Sequence, residues 1–297
     1  MTRDLIELEP GIRRLRAPNP SPLTADGTNT YLVGTKDVAV IDPGPWAGAG
    51  DRGHLQAILD ALNPGERISH ILVTHSHLDH SPLARPLAQA TGAQIHGFGP
   101  SGTGVSETMT QLVQSSDLGG REGTDHGFDP DVLLADGDVV SGGDWALTAL
   151  WTPGHFGNHL AFATHDTVFS GDLVMGWATT LVSPPDGDLT QFMASCRRLS
   201  QRDDRVFYPG HGAPINAPKE RTNWLIAHRL EREAQILDAL DQGLTTIPAI
   251  THHIYTQIGP HLIPAAQRNV LAHLIDLATT HRVTATGTIG PKASFHR

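Results

Sequence analysis

The first hundred residues alternate short apolar, β-branched runs with turn residues. Asn29 to Val33, Val38 to Ile41 and Ile71 to Thr74 read as strands, and the stretch from about Arg52 to Leu62 reads as a helix. A second helix is expected to open near Ser81, with Pro82 in its first turn, where its missing N–H would be unpaired anyway. From Gly97 to Asp131 the chain turns rich in Gly, Ser, Thr and Asp, with one helical patch at Glu107 to Val113, and reads as a long surface excursion. Strand-like runs return at Val132 to Leu134, Trp145 to Trp151, Leu160 to Ala163 and Thr167 to Phe169. A helix from Leu189 to Ser200 and a short strand, Val206 to Tyr208, close this α/β half.

After Pro218 the period becomes helical. Glu220 to Leu240 sets Trp224, Ile226, Ala227, Leu230, Ala234, Leu237 and Leu240 near one stripe, with Gly243 as the C-terminal cap. Ile247 to Gln257 and Pro264 to Thr280 read as two further helices. The chain is therefore expected to divide into residues 1–217 and a helical tail, 218–297. Because the stripe needs a partner surface and Trp224 lies close in sequence to His211, the tail is expected to fold back over the mouth of the chemical site, with His228 and Arg229 contacting an anionic part of a substrate.

Composition narrows the picture. With 39% hydrophobic and 18% charged residues, the 297-residue chain can bury a proper core, and a soluble globular protein is expected. No apolar run approaches the roughly 20 residues that span a bilayer, so no membrane segment is expected. Met1 to Arg16 carries Asp4, Glu7 and Glu9 and lacks a basic-then-apolar leader. Cys196 is the single cysteine, which excludes an internal disulfide, makes a cytoplasmic location the expectation, and suits a buried small hydrophobe. The net charge of -10 opposes phosphate tracking and disfavours nucleic acid. Eighteen histidines against three tyrosines is the first functional hint, imidazole being the commonest metal ligand.

The chemistry concentrates in Thr74-His75-Ser76-His77-Leu78-Asp79-His80, directly after the apolar run Ile71 to Val73. On a helix, at about 100° per residue, these donors would point in divergent directions, whereas a loop at a strand end can gather them. Three imidazoles and a carboxylate suit Zn²⁺, with Mn²⁺ and Fe²⁺ chemically possible, and four donors so close together suggest two metals. Thr152-Pro153-Gly154-His155, Phe169-Ser170-Gly171-Asp172 and Tyr208-Pro209-Gly210-His211 each place one more donor after a strand and a glycine. Ligand sites favour loops held at the ends of rigid strands, so the four segments make a joint signal. His159, four residues beyond His155, and His228, on the first tail helix, are candidate substrate-binding donors.

These residues, in this order, resemble the metallo-β-lactamase-fold hydrolase superfamily, with its His-x-His-x-Asp-His loop followed by His, Asp and His on later strand ends. Gly27 to Gly34, the His155-Phe156-Gly157-Asn158-His159 stretch and Ala227-His228-Arg229 are similar to the β-lactamase-like protein 2 group. The resemblance implies an α/β, four-layer αββα sandwich with a small helical, winged-helix-like C-terminal domain. It also implies that His75, His77 and His155 hold one metal, that Asp79, His80 and His211 hold a second, and that Asp172 bridges them. Such a dinuclear centre carries a bridging hydroxide, which Asp79 would orient. One departure is Ser81-Pro82 where relatives often carry two glycines.

The expected function is a dinuclear metal-dependent hydrolase of an ester, thioester or related small molecule. A single-strand-specific endoribonuclease is the alternative, weakened by the acidic balance and by the lack of a long basic run with interleaved aromatics. A tail that binds DNA or protein is a third reading. Glu231, Glu233, Asp238 and Asp241 argue against DNA there.

Overall fold

The computed structural model describes residues 5–48, 53–121 and 123–297. Asp4 and Arg52, named above, lie outside the described residues.

The first half builds a seven-stranded sheet. Its strands, in spatial and chain order, are β1 (Ile6–Glu9), β2 (Ile12–Arg16), β3 (Asn29–Val33), β4 (Asp37–Ile41), β5 (Arg67–Leu72), β6 (Gln94–Gly97) and β7 (Val132–Leu133). The first four run antiparallel, and β4 to β7 run parallel. The helices α1 (Gly53–Asp60) and α2 (Ala84–Thr91) form two of the parallel crossovers, and the excursion carries α3 (Glu107–Ser115). A five-stranded sheet follows from β8 (Val139–Ser141), β9 (Ala146–Trp151), β10 (Leu160–Thr164), β11 (Thr167–Gly171) and β12 (Val206–Pro209), with α4 (Leu189–Ser200) between the last two.

Strand side chains alternate between faces, and here both faces are covered, so the strands read as unbroken apolar runs. Tyr31, Val33, Ala39, Ile41 and Leu72 point from the first sheet into a core shared with Leu160, Phe162, Phe169, Val206 and Tyr208 of the second. Their neighbours Leu32, Val38, Val40 and Ile71 face Leu55 and Ile58 of α1 and Leu87 of α2. Ala161, Ala163, Val168 and Phe207 face Phe192, Met193, Cys196 and Leu199 of α4. The layers are therefore helix, sheet, sheet, helix, the αββα sandwich that the resemblance implies. Cys196 is fully buried in this last layer, and burial pushes its thiol up to about 12.

The tail consists of α5 (Pro218–Asp241), α6 (Ile247–Ile254), α7 (Ile263–Thr279) and a hairpin wing, β13 (Thr284–Thr286) paired with β14 (Ser294–His296). Ile236, Leu237, Ile250, Val270, Leu274 and Phe295 form its core, which Met109 and Leu118 of the excursion join. No helix of the described residues is long and apolar enough to cross a membrane.

Two expectations are corrected. The second helix starts at Ala84, not at Pro82, because Gly44 and the loop exchange backbone hydrogen bonds, Gly44 N to His80 O (2.9 Å) and Leu83 N to Gly44 O (3.0 Å), which hold the chain out of the helix. In the first half of α5 the buried positions are Pro218, Thr222, Leu225 and Arg229, while Trp224, Ala227 and Leu230 are exposed. This half packs on α4 rather than in the tail core, and that contact selects a face with an arginine in it.

Candidate metal centre

The four chemistry-bearing segments follow β5, β9, β11 and β12, and backbone hydrogen bonds stitch them together. Leu160 N donates to Thr74 O (2.7 Å), Gly210 N to Gly171 O (2.8 Å) and Asn29 N to Gly210 O (2.7 Å). Residue 210 has to be glycine for this closeness. A Cβ there would lie 2.3 Å from Asp172 Oδ1 and 2.7 Å from His80 Cε1.

The structure brings seven of the expected donors into overlapping trios whose ligand atoms lie within 4.8 Å of one another: His75 with His77 and His155, His75 with His80 and Asp172, and Asp79 with His80 and His211. His77 Nδ1 is 2.8 Å from His75 Nε2 and 3.1 Å from His155 Nε2. His211 Nε2 is 3.1 Å from Asp79 Oδ2, and His80 Nε2 is 3.3 Å from both. Asp172 Oδ2 lies between the groups, 3.3 Å from His211, 3.6 Å from His80 and 3.8 Å from His155. Only His77 and Asp79 are partly exposed, so the mouth opens at residues 77–79.

The outer nitrogens explain how the rings are aimed. His155 Nδ1 donates to the Leu181 carbonyl (2.7 Å), which leaves Nε2 as a lone pair facing inward. Thr74 Oγ1 donates to Asp42 Oδ2 (2.7 Å), so it accepts from His75 Nδ1 (3.0 Å), and His75 Nε2 also faces inward as a lone pair. His80 Nδ1 is 2.8 Å from Asp42 Oδ2. Asp42 also accepts from Thr74 N (2.7 Å), which makes it the hub behind the histidine loop. It was not among the expected site residues. Its signal was present, for Ile41-Asp42-Pro43-Gly44 repeats the pattern of a strand end, a donor and a turn.

These atoms fit cations better than they fit one another. His77 Nδ1 faces two acceptors and can give its proton to only one of them, whereas a cation among three lone pairs satisfies all three. Asp172 Oδ1 is buried without a hydrogen-bond partner, which is costly for a carboxylate unless a positive charge sits beside it. The charges are also uneven. Burial, then His155, depress His77 to about 3; burial, then His80 and His77, hold His75 well below its ordinary value; and burial lowers His155 against the pull of Asp172 and the Leu181 carbonyl. Burial opposes charge on His80 too, yet the carboxylates of Asp79, Asp172 and Asp42 raise it well above its ordinary value, and Asp172 lifts His211 to about 9 against burial. In return, and again against burial, His80 and His211 hold Asp79 and Asp172 well below the usual carboxylate range.

The two candidate substrate donors sit differently. His159 is fully enclosed, with Nδ1 2.9 Å from Thr152 Oγ1 and Nε2 accepting from the Asp172 backbone N–H (3.2 Å). Both nitrogens are thereby bonded to protein, which lets His159 brace the backbone of Asp172. His228 is half-buried and stacks on Trp224, ring centroids 5.1 Å apart. Arg229, expected near an anionic substrate, is buried and bonded to protein instead. The excursion reaches the site: Leu78 N donates to Gly123 O (2.7 Å), Asp125 N to Ser76 O (2.8 Å) and Ser81 Oγ to Asp125 Oδ2 (2.7 Å).

Comparison with known proteins agrees with this geometry. Residues 23–211 match the metallo-beta-lactamase superfamily, and residues 246–291 match the beta-lactamase associated winged helix domain. An atrochrysone carboxyl ACP thioesterase of Aspergillus fumigatus is 32% identical over 239 residues, covering 78% of this chain and 66% of that protein, just under two thirds of its length. The beta-lactamase-like protein 2 homolog of Drosophila melanogaster is 28% identical over 281 residues, covering 91% and 88%. The crystal structure of a metallo-beta-lactamase family protein from Thermus thermophilus superposes with a TM-score of 0.77 at 25% identity, covering 98% of this chain and all of that one. With its sandwich, its strand-end donors and its winged tail, the chain belongs to the metallo-beta-lactamase superfamily.

Proposed function

We propose that the chain hydrolyses an acyl thioester at a centre for two divalent cations, most simply Zn²⁺. The residues that would hold them are His75, His77 and His155 for one and Asp79, His80 and His211 for the other, with Asp172 between. The observation that carries this reading is His77 Nδ1 facing two inward lone pairs at 2.8 and 3.1 Å, an arrangement that one proton cannot satisfy. Cations bound there supply positive charge that lowers the pKa of water and polarises a carbonyl oxygen. The thioester class is supported by the thioesterase relatives, of which the chain spans about two thirds.

The protein's own part is orientation. Asp79, at the open mouth, accepts a hydrogen bond from the attacking water and aims its oxygen at the acyl carbon. Thr74, Asp42, Leu181 and His159 keep the imidazoles and Asp172 in register without touching the substrate. The water oxygen bonds to the acyl carbon, the C–S bond breaks with its electron pair on sulfur, and the sulfur takes a proton from the water. The products are a carboxylic acid and a thiol.

The test uses full-length protein stripped by a chelator and reloaded with Zn²⁺, Mn²⁺ or Fe²⁺. The substrates are a panel of acyl thioesters, lactones, phosphodiesters and single-stranded RNA. Thiol release that depends on two metal equivalents is expected. Turnover indifferent to chelation, or cleavage of RNA with no action on thioesters, would overturn the reading.

A further inference from the structure

Segment 173–188, which joins β11 to α4, carries the Leu181 carbonyl that accepts from His155 Nδ1 at 2.7 Å. On its far side two tail helices grip the residues that flank it. Arg229 of α5 donates through Nη2 to the Thr180 carbonyl and through Nη1 to Asn269 Oδ1 (3.0 Å). Asn269 of α7 uses the same oxygen to accept from Val182 N (3.1 Å). Thr180 Oγ1 lies 2.9 Å from the carbonyls of Asp172 and Leu173, which ties this grip to the central carboxylate as well.

A second route runs through packing. The Arg229 guanidinium lies 5.2 Å over the Phe192 ring. Phe192 is pressed against the turn that bears His155, where a Cβ on Gly154 would come within 2.2 Å of Phe192 Cα. Gly154 has φ +132, a conformation that side chains rarely adopt, so the close approach and the backbone both require glycine. From the other side, Gly187 packs on the Gly154 and His155 carbonyls. The His155 turn is thus wedged between α4 and segment 173–188, both of which Arg229 touches.

The other donor set takes its outer partners elsewhere. His80 takes its outer partner from Asp42, and His211 Nδ1 lies 3.3 Å from the Gly27 carbonyl, both within the catalytic half. We infer that Arg229 and Asn269 are positioning residues through which the C-terminal helices set the orientation of His155, and so the affinity of one cation position more than that of the other. A displaced Leu181 carbonyl would free the His155 Nδ1 proton, and the tautomer with its proton on Nε2 offers the site no lone pair. This rests on the two-cation reading proposed above.

The experiment titrates Zn²⁺ alone into metal-free, full-length protein in competition with a chromophoric chelator. Wild type is compared with Asn269→Leu, Asn269→Asp, His155→Ala and the double variant Asn269→Leu with His155→Ala. Asn269→Leu should weaken one equivalent by about 10- to 100-fold, the range for removing outer partners of metal-binding groups. That equivalent should be the one that His155→Ala loses, with no further loss in the double variant. Asn269→Asp keeps the accepting oxygen and the Arg229 contact and should bind like wild type. Unchanged binding of both equivalents in Asn269→Leu overturns the inference. So does equal weakening of both in step with a lowered metal-free Tm, which would mark plain structural support. Wild type binding two equivalents with an inert Asn269→Leu overturns the inference alone, whereas wild type binding no Zn²⁺ overturns the two-cation reading with it.

Discussion

The two donor sets of the centre are built from similar residues and supported in opposite ways. His75 and His155 rest on neutral oxygens, the Thr74 hydroxyl and the Leu181 carbonyl, and their set contains three imidazoles and no carboxylate. His80 rests on the Asp42 carboxylate and shares its set with Asp79. Without cations the first set sheds protons and the second gathers them, as the depressed His77, near 3, and the raised His211, near 9, record. Imidazole count therefore does not fix the charge of a site; the groups behind and beside the rings do. The first set offers lone pairs, and the second offers lone pairs with compensating negative charge.

The largest way to break this contrast is at the group common to both sides. Asp172→Asn should lower turnover by about 10³-fold or more, equivalent to about 4 kcal/mol of transition-state stabilisation. An amide cannot balance positive charge on both sides, and its NH₂ has no lone pair to offer a cation. Metal content by elemental analysis should fall alongside turnover. Retained metal with most of the activity would mean that Asp172 does not join the two sets.

Next in size is Asp79→Ala, which removes negative charge from one set only. Turnover should drop by about 10²- to 10³-fold, within the range for losing a positioned proton-handling group. The fold should survive, since Asp79 is partly exposed and buries little apolar surface. Unchanged kcat with a normal thermal melt would remove Asp79 from the chemistry.

A smaller effect is expected one layer out. Asp42→Asn replaces a carboxylate that accepts from Thr74 N, Thr74 Oγ1 and His80 Nδ1 by a group with one accepting oxygen. Affinity for the cation of the Asp79, His80 and His211 set should fall by about 10- to 100-fold. Stepwise Zn²⁺ titration would show whether that equivalent weakens first, and equal weakening of both would erase the proposed difference between charged and neutral support.

How much of this was legible in the sequence follows from how local each signal is. The histidine loop and the three later donors were readable because each stands after an apolar run beside a turn residue, all within a few positions. The inner strands were readable because burial on both faces leaves unbroken apolar runs such as Val38 to Ile41. β2 was not, because Arg13 looks like a surface residue. It is in fact buried, donating to the Ala61 carbonyl (2.8 Å) and pairing with Glu66 (2.9 Å), partners about fifty positions away. Arg229 misled for the same reason, since its partners Thr180 and Asn269 lie on segments 49 and 40 positions distant. His159 lies beside the donor rings, but which way its nitrogens point depends on Thr152 and Asp172, and spacing does not carry that information.

The finest test of the contrast is at Thr74, the neutral counterpart of Asp42. Thr74→Val keeps the shape and removes only the hydroxyl through which His75 Nδ1 is held at 3.0 Å. A buried donor left without its acceptor costs about 1–3 kcal/mol, and His75 can relieve that cost by moving its proton to Nε2, the nitrogen that faces the site. The first set should then lose about tenfold in Zn²⁺ affinity, the small end of the range for outer partners, because no charge has been removed. The second set should change less, since Asp42 loses one hydrogen bond but keeps its charge and its contact with His80. Thr74→Ser restores the hydroxyl and should restore the affinity. A Thr74→Val effect as large as that of Asp42→Asn, falling on both equivalents alike, would show that Thr74 acts mainly by tuning Asp42, and the two sets would then share one support rather than two.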